Sequence, residues 1–241
     1  MEKLVYLLFQ KAEFPGNQLR EALLHEAAPA LRAGGAHWIS INVHDEDVVR
    51  PPPTGLERWE DLPSQRWISD PPARAMVSFW MQCAEERAAC ERALESHAVR
   101  ISGYLVSESV PLINADQRAP IGQRTPGFNQ VSSLVKRRDV SDDEFRDIWL
   151  HDQKLVAIEC QSSFGYKRNS IVRPMTAGAR NYLGIVEENF PIEALTDPRV
   201  FYDANSDAQL RERVERMTRN VERFLQMDEV ELTPMSEYLL G

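Results

Sequence analysis

The sequence has few cysteines, and they follow no pattern typical of a disulfide or metal site. Its three cysteines, Cys83, Cys90 and Cys160, are odd in number and include no CxxC pair. This spacing argues against a disulfide framework and against a thiolate metal site. We therefore expect the protein in the cytoplasm, where thiols stay reduced.

The chain also lacks an excess of basic residues and any long apolar run. It has 28 Lys and Arg against 37 Asp and Glu, which gives a formal net charge of −9. An acidic chain without a basic cluster binds nucleic acid and anionic membranes poorly. The apolar beginning, residues 4–9, is too short for a signal peptide or a membrane span. We expect neither nucleic acid nor a membrane as a partner.

Sequence motifs for common catalytic centres are missing as well. There is no GxGxxG or GxxxxGK[ST] loop for nucleotides and no GxSxG nucleophile turn. The five histidines include no HxH or HxxxH pair, so no metal site is expected. The sequence thus predicts no bound cofactor and points instead to chemistry performed by side chains.

The chain contains the same predicted order of elements, β-α-β-β-α-β, twice in succession. Apolar runs, helical periodicity and turn residues define both sets of predicted elements. In the first, strands are predicted at 4–9, 37–43, 75–81 and 99–106, and helices at 17–33 and 84–97. In the second, strands are predicted at 129–136, 163–172, 181–188 and 228–233, and helices at 141–159 and 206–224.

The two readings also match in residues. LREALLHEAAPAL (19–31) aligns without a gap on FRDIWLHDQKLVA (145–157). Two such units predict tandem ferredoxin-like repeats whose bare sheet faces pack together, an α+β fold equivalent to a fused dimeric α+β barrel. The predicted domains are 1–113, a linker at 114–127, and 128–241.

A long insertion, residues 44–74, interrupts the first repeat. It holds six prolines together with Trp59 and Trp67, and it is too long for a simple connector. We expect it to be a lid over the pocket of the first repeat or an arm packed on a partner subunit.

RRDVSDDEFRDIW (137–149), followed by FGYKRN (164–169), resembles the EthD-type proteins of the dimeric α+β barrel superfamily. The first repeat shows the resemblance mainly through ISGYLVSESVP (101–111). The resemblance implies a small-molecule enzyme that works by isomerisation, dehydration or another lyase reaction. The pathway that it implies is catabolic or polyketide-like. Such proteins often carry a histidine four residues after the helix tryptophan, where this chain has Gln153 and its repeat mate Ala27.

The helix at 141–159 supplies the candidate catalytic pair. At about 100° per residue, Asp152 falls about 20° from Phe145, in the middle of the apolar stripe. A carboxylate among apolar neighbours has a raised pKa suited to proton transfer. Asp152 is therefore the predicted base and His151 its modulator or the general acid. Glu26 and His25 occupy the matching places in the first repeat.

The strand at 163–172 offers the partners. Tyr166 and Asn169 are expected to hold a developing enolate or carbonyl oxygen. Trp149 and Gln153 are expected to contact substrate, and Asn42, the repeat mate of Asn169, completes a second or degenerate site. The simpler alternatives are an Asp152 ion pair with Arg168 or Lys167, a half-exposed His151, and a Trp149 that belongs to the core.

Other acids are interpreted as strand-end or solvated charges. These are Glu108 in SESVP and the pair Glu187–Glu188 in IVEENFP.

The favoured function is cofactor-independent acid-base chemistry on an apolar compound that bears a carbonyl or hydroxyl group. The expected partner is that small-molecule substrate, and a homodimer is a further possibility. Two alternatives stay open: a monooxygenase or haem-dependent enzyme of the same barrel superfamily, and a non-catalytic binding or assembly protein.

Overall fold

The computed structural model describes residues 1–49 and 65–241, which form eight strands and several helices. The strands are β1 Glu2–Phe9, β2 His37–Val43, β3 Ala73–Met81, β4 Arg100–Leu112, β5 Phe128–Leu134, β6 Gly165–Pro174, β7 Gly184–Phe190 and β8 Glu231–Leu239. The helices are α1 (16–33), α2 Ala88–Glu95, α3 (142–160), α4 Pro198–Phe201 and α5 Asp207–Val221, with short 3₁₀ turns at Ala84–Glu86 and Ile192–Leu195. The predicted α+β class is confirmed. No helix of the described residues is long and apolar enough to cross a membrane.

The strands close into one antiparallel barrel in the order β1-β3-β2-β8-β5-β7-β6-β4. Within the first repeat the order is β4-β1-β3-β2, and within the second it is β8-β5-β7-β6. Both are the ferredoxin-like order in which the first and third strands lie centrally. The two seams are equivalent, because β2 pairs with β8 and β6 pairs with β4, so the second strand of each repeat meets the fourth strand of the other.

The helices α1 and α3 each contain a π-helical turn, and the two turns lie at matching places in the repeat. In α1 the turn spans Leu23–Ala27, and in α3 it spans Ile148–Gln153. A π turn holds more residues than an α turn, so every side chain within or beyond it is rotated relative to a regular helix. The expectation that Asp152 lies in the middle of the sheet-facing stripe was wrong for this reason.

The helix N-terminus of α3 follows its sequence. Ser141 has extended backbone angles, and its hydroxyl accepts a hydrogen bond from the Glu144 amide at 3.1 Å. Three acidic residues occupy the first turn, where they interact favourably with the helix dipole. The helix therefore begins where the sequence predicts.

The apolar core divides into three layers. One lies between α1, α2 and the outer face of the first repeat's sheet, and a second lies between α3, α5 and the outer face of the second repeat's sheet. The third fills part of the barrel interior with side chains such as Val5, Met76, Val131 and Met235. Both faces of every central strand are therefore covered, which leaves little solvent contact for any charged residue on those strands.

The rest of the barrel interior is a buried network of charges and amides. Lys167 Nζ donates to Glu187 Oε2 at 3.2 Å and to Glu237 Oε1 at 2.8 Å. On the other side of Glu187, Asn169 Nδ2 donates to its Oε1 at 2.9 Å, and Lys3 Nζ donates to Asn169 Oδ1 at 2.8 Å.

These contacts set the charge states of the network. Burial alone would raise the pKa of Glu187, but the charges of Lys167 and Lys3 lower it to about 2. Burial would likewise lower the pKa of Lys167, but the carboxylates of Glu187 and Glu237 raise it. Lys167 and Glu187 are therefore charged at neutral pH, and the network is held together by desolvated ion pairs.

The described end of the insertion crosses to the second repeat. Arg66 forms an antiparallel bridge with Leu232 on β8, and the Trp67 indole donates to Thr233 Oγ1 at 3.1 Å. The described end of the insertion thus extends the sheet beside β8, next to the second repeat. The sequence suggested a lid over the pocket of the first repeat or an arm on a partner subunit. Trp59 lies outside the described residues.

Candidate functional site

A cavity of about 450 Å³ lies between the helices of the second repeat and the outer face of its sheet. Trp149 and Gln153 reach it from α3, Val214 and Met217 from α5, and Glu188 from β7. The other lining residues are Arg66, Gln130, Ser132, Leu134, Gln161, Tyr166, Val186, Phe201, Tyr202, Thr218, Val221, Phe224, Leu225, Met227, Val230 and Leu232. This volume and this mostly apolar lining with a few polar groups are typical of small-molecule sites.

Among the described residues, Glu188 is the acidic side chain of the cavity wall. Strand register places it between Gln130 on β5 and Tyr166 on β6, with all three side chains on the helix-facing side of the sheet. No hydrogen bond or ion pair joins its carboxylate to any residue of the described parts of the chain. Burial without a compensating partner raises the pKa of Glu188 to about 7. The group therefore changes protonation state near neutral pH, as a proton-transfer residue must.

Two hydrogen-bond donors flank this carboxyl group. Gln130 is buried, and its Nε2 has no partner in the described residues, which is uncommon for a buried amide. Tyr166 is also buried, and burial and the nearby charge of Glu188 raise its pKa, so its hydroxyl keeps its proton. The unpaired amide of Gln130 points to a ligand or a water that would satisfy it.

Trp149 closes the cavity on the side of β6 and β7. A Cβ on Gly184 would lie 2.4 Å from the Trp149 indole, so only glycine at this position lets the ring lie flat on β7. Beside it, Gln153 Oε1 accepts from Asn220 Nδ2 at 2.6 Å, and its Nε2 lies 3.2 Å from Met217 Sδ. These contacts join α3 to α5 and fix the Gln153 amide at the cavity wall.

Arg168 fastens the π turn of α3 to the sheet. Its Nη1 donates to the Leu150 carbonyl at 2.9 Å and to the Trp149 carbonyl at 3.4 Å, and its Nε donates to Ser109 Oγ at 3.1 Å. π turns occur often at functional sites, where they change the direction of side chains. Here the turn brings Trp149 and Gln153 to the cavity and leaves Asp152 outside it.

We expect the Arg168→Met variant to lose about 3 kcal/mol of unfolding free energy, since a hydrogen bond from a charged donor contributes about 1.5–3 kcal/mol. Denaturant unfolding measures this loss, and hydrogen exchange of the amides at 148–154 should quicken. The control is Arg146→Met, an exposed change on the same helix, with an expected effect within about 0.5 kcal/mol. Equal stability of the two variants would contradict the role given to Arg168.

The predicted catalytic pair lies on the surface. Asp152 is 50% exposed and forms an ion pair with Arg223 at 2.8 Å. Its partner is therefore neither Arg168 nor Lys167, the two basic residues that the sequence suggested. His151 is 72% exposed and lies 3.9 Å from Asp147. Because the π turn rotates both side chains to the outer edge of α3, neither lines the cavity.

The predicted oxygen-binding pair lies on two faces of one sheet. Tyr166 faces the cavity, whereas Asn169 points into the barrel interior, three residues further along β6. Strand alternation puts residues an odd number apart on opposite faces, so the two cannot hold one ligand atom. Asn42 also points into the interior, where its Oδ1 accepts from Asn129 Nδ2 at 2.8 Å. Asn42 and Asn169, which occupy equivalent places in the two repeats, therefore both lie in the barrel interior.

The equivalent acid and histidine of the first repeat are also exposed. His25 is 73% exposed and lies 3.2 Å from Glu21, and Glu26 faces solvent. On the sheet beneath α1, Tyr6 and Phe79 stack with ring centroids 5.6 Å apart. The two repeats thus share a backbone plan, but the first carries aromatic packing on its outer face.

The interpretation of Glu187 and Glu188 as solvated or strand-end charges was wrong. Glu187 lies fully buried in the barrel network, and Glu188 lines the cavity. Two adjacent acids on a central strand point to opposite faces, and in a closed barrel with outer helices both faces are covered. The barrel was itself predicted from the sequence, and applying it to the strand IVEENF (185–190) would have shown that both acids are covered.

The residues of the cavity do not fit a haem bound through histidine. None of the five histidines of the chain lines the cavity, and His151 points away from it. In residues 1–49 and 65–241, no cluster of three or more His, Cys, Asp or Glu side chains has a geometry suited to a metal ion. We therefore derive the chemistry of the site from Glu188 and its neighbours.

No protein-family model matches this sequence, and no curated protein sequence matches it. Solved structures do match. An anthrone oxidase-like protein superposes with a TM-score of 0.56 at 12% identity, over 100% of this chain and 94% of its own. A monooxygenase-like protein of Fusobacterium nucleatum gives 0.49 at 7% identity, over 100% and 92%. A chlorite dismutase variant of Candidatus Nitrospira defluvii gives 0.45 at 12%, over 98% and 91%. The chain has a dimeric α+β barrel fold, with both halves of the barrel in one polypeptide.

Proposed function

We propose that this protein is a small-molecule enzyme in which Glu188 moves a proton to or from a substrate held in the cavity of the second repeat. The substrate is an apolar organic compound that bears a carbonyl or hydroxyl group. Isomerisation, dehydration or another lyase reaction fits, as the resemblance to EthD-type proteins implies. The observation that carries this proposal is the desolvated, unpartnered Glu188 carboxyl group in a cavity large enough for a ligand.

The neighbours of Glu188 supply the rest of the chemistry. When the carboxylate takes a proton from carbon next to a carbonyl, negative charge develops on the carbonyl oxygen. In this proposal the Tyr166 hydroxyl and the Gln130 amide donate hydrogen bonds to that oxygen, and the support is that both residues pair with Glu188 on the neighbouring strands. Trp149 covers the apolar part of the molecule. No step in this scheme requires a bound cofactor.

Proton exchange tests this proposal without knowledge of the natural substrate. We expect the protein to speed the loss of C1 proton signals of 2-tetralone in D₂O near neutral pH, followed by NMR. The Val214→Trp variant places an indole in the cavity and should reduce exchange to the buffer rate. The matched control is Val172→Trp, at a 61% exposed position on β6, which should exchange like the natural protein. Exchange that survives in Val214→Trp would place the reaction elsewhere.

A second candidate is a cofactor-independent oxidase, in which the deprotonated substrate reacts directly with dioxygen. Its support is the similarity of fold to the anthrone oxidase-like protein. The first step is the same removal of a proton by Glu188. Oxygen consumption that accompanies substrate loss distinguishes this candidate from a lyase or isomerase.

A further inference from the structure

The cavity of the second repeat is completed by a residue of the first. Arg66, from the insertion, lines the cavity beside Leu232 and Met227. Its backbone amide donates to the Leu232 carbonyl at 2.8 Å, and the Leu232 amide donates back to Arg66 at 3.0 Å. Its Nη1 also donates to the Met227 carbonyl. These bonds fix the backbone and one guanidinium nitrogen at the rim of the cavity.

Within residues 1–49 and 65–241, the charge of Arg66 has no counterpart. Among the residues that line the cavity, Arg66 carries the positive charge and Glu188 the acid group. No ion pair joins Arg66 to another residue of the described parts of the chain. A guanidinium has five N–H donors in a planar fork that matches a carboxylate, and the Met227 carbonyl uses one nitrogen. The side chain is exposed at the mouth, so its other donors remain available to a bound anion.

Strand register gives the separation of the backbones that carry these two groups. Arg66 pairs with Leu232, Leu232 with Ser132 on β5, and Ser132 with Val186 on β7. Three strand spacings separate the backbone of Arg66 from β7, which is about 14 Å. Glu188 lies two residues further along β7, on the same face as Val186. A molecule that extends from the rim at Arg66 to the strand of Glu188 is therefore elongated, with an apolar body between its two ends.

We propose that Arg66 selects an organic anion, so that the substrate of this site carries a carboxylate or similar acidic group at the end remote from the reacting carbon. This inference rests on the proposed small-molecule site and specifies its substrate class. It also assigns the insertion of the first repeat a role in specificity for the second. The rim cation holds the anionic end, while the apolar wall holds the body of the molecule near Glu188.

Calorimetric binding of a matched pair of probes, 2-naphthoate and 2-naphthamide, tests this proposal. The measurement is made at pH 6, where the Glu188 carboxyl is mostly protonated and does not repel the naphthoate. We expect the natural protein to bind naphthoate about tenfold more tightly than the amide, which corresponds to about 1.4 kcal/mol. Arg66→Met should remove this preference by weakening naphthoate alone, and Arg66→Lys should keep part of it. Arg173→Met, an exposed change on β6 outside the cavity, is the control and should change neither affinity.

The outcomes separate this inference from the proposed function. Equal affinity of the natural protein for the two probes, or equal weakening of both by Arg66→Met, overturns the selection of an anion but leaves the cavity site standing. Failure of both probes to bind, or binding that Val214→Trp leaves unchanged, overturns both proposals.

Discussion

In the Glu188→Gln variant we expect proton exchange from a ketone in the cavity to fall at least about a hundredfold, since general acid-base catalysis contributes about 10²–10⁴ in rate. Glutamine keeps the shape of the side chain but cannot accept a proton from carbon. The measurement is the rate of deuterium incorporation under the conditions used for the natural protein. The result distinguishes two hypotheses for the proton-transfer residue, because the structure favours Glu188 and the sequence favoured Asp152.

The Asp152→Asn variant provides the matching test. Asp152 is half exposed and paired with Arg223, so its carboxylate contacts no molecule within the cavity. We expect Asp152→Asn to exchange at the rate of the natural protein. Loss of exchange in Asp152→Asn together with full exchange in Glu188→Gln would restore the sequence hypothesis and refute the structural one.

Glu188 also links stability to pH. Its pKa is raised from 4.5 in the unfolded chain to about 7 in the folded one, so the folded state binds more protons between these values. Stability is therefore lost as pH rises from 4.5 to 7, by about 3–4 kcal/mol in all, at about 1.36 kcal/mol per pKa unit. The free energy of unfolding of Glu188→Gln, relative to that of the natural protein, should increase across this pH window and level off above pH 7.

The second large effect is expected in the barrel interior. The Lys167→Met variant should lose about 3–5 kcal/mol of unfolding free energy, because it leaves the buried carboxylates of Glu187 and Glu237 without their shared cation. Denaturant unfolding at pH 7 measures the loss. Methionine has a similar length to the lysine stem, so the change removes the charge with little change in packing.

Two further variants show that this loss arises from charge. Lys11→Met, at an exposed position after β1, should change stability by no more than about 0.5 kcal/mol. Adding Glu237→Met to Lys167→Met removes one of the unpaired carboxylates and should recover part of the stability. A Lys167→Met protein as stable as the Lys11→Met control would show that the network does not hold the barrel together.

The fold could be read from the sequence because its signals are local and occur twice. Apolar runs such as 4–9 and the capping serine of α3 each specify an element, and the alignment of 19–31 on 145–157 shows the repeat. Element ends were less well predicted. β8 was expected at 228–233 and spans Glu231–Leu239, since its later residues pair with β2 of the other repeat, a contact that no local pattern reveals.

The site was only partly readable. Trp149, Gln153 and Tyr166 were predicted as site residues, and all three line the cavity. Asp152 and His151 were misplaced because a π turn carries no known signature in a single sequence, and a regular helix was assumed. Glu188 was passed over because its burial depends on α3 and α5, which cover the outer face of the barrel.

Titration of the Glu188 carboxyl group is the most direct test of its proposed role in proton transfer. Carbon-13 NMR of the labelled side chain, assigned by its absence in Glu188→Gln, gives the pKa in the protein. We expect a midpoint near 7, because the carboxyl group faces a largely apolar cavity without a partner among the described residues. A midpoint near 4.5 would mean that the group is well solvated or paired, and it would contradict the proposed role of Glu188 in proton transfer.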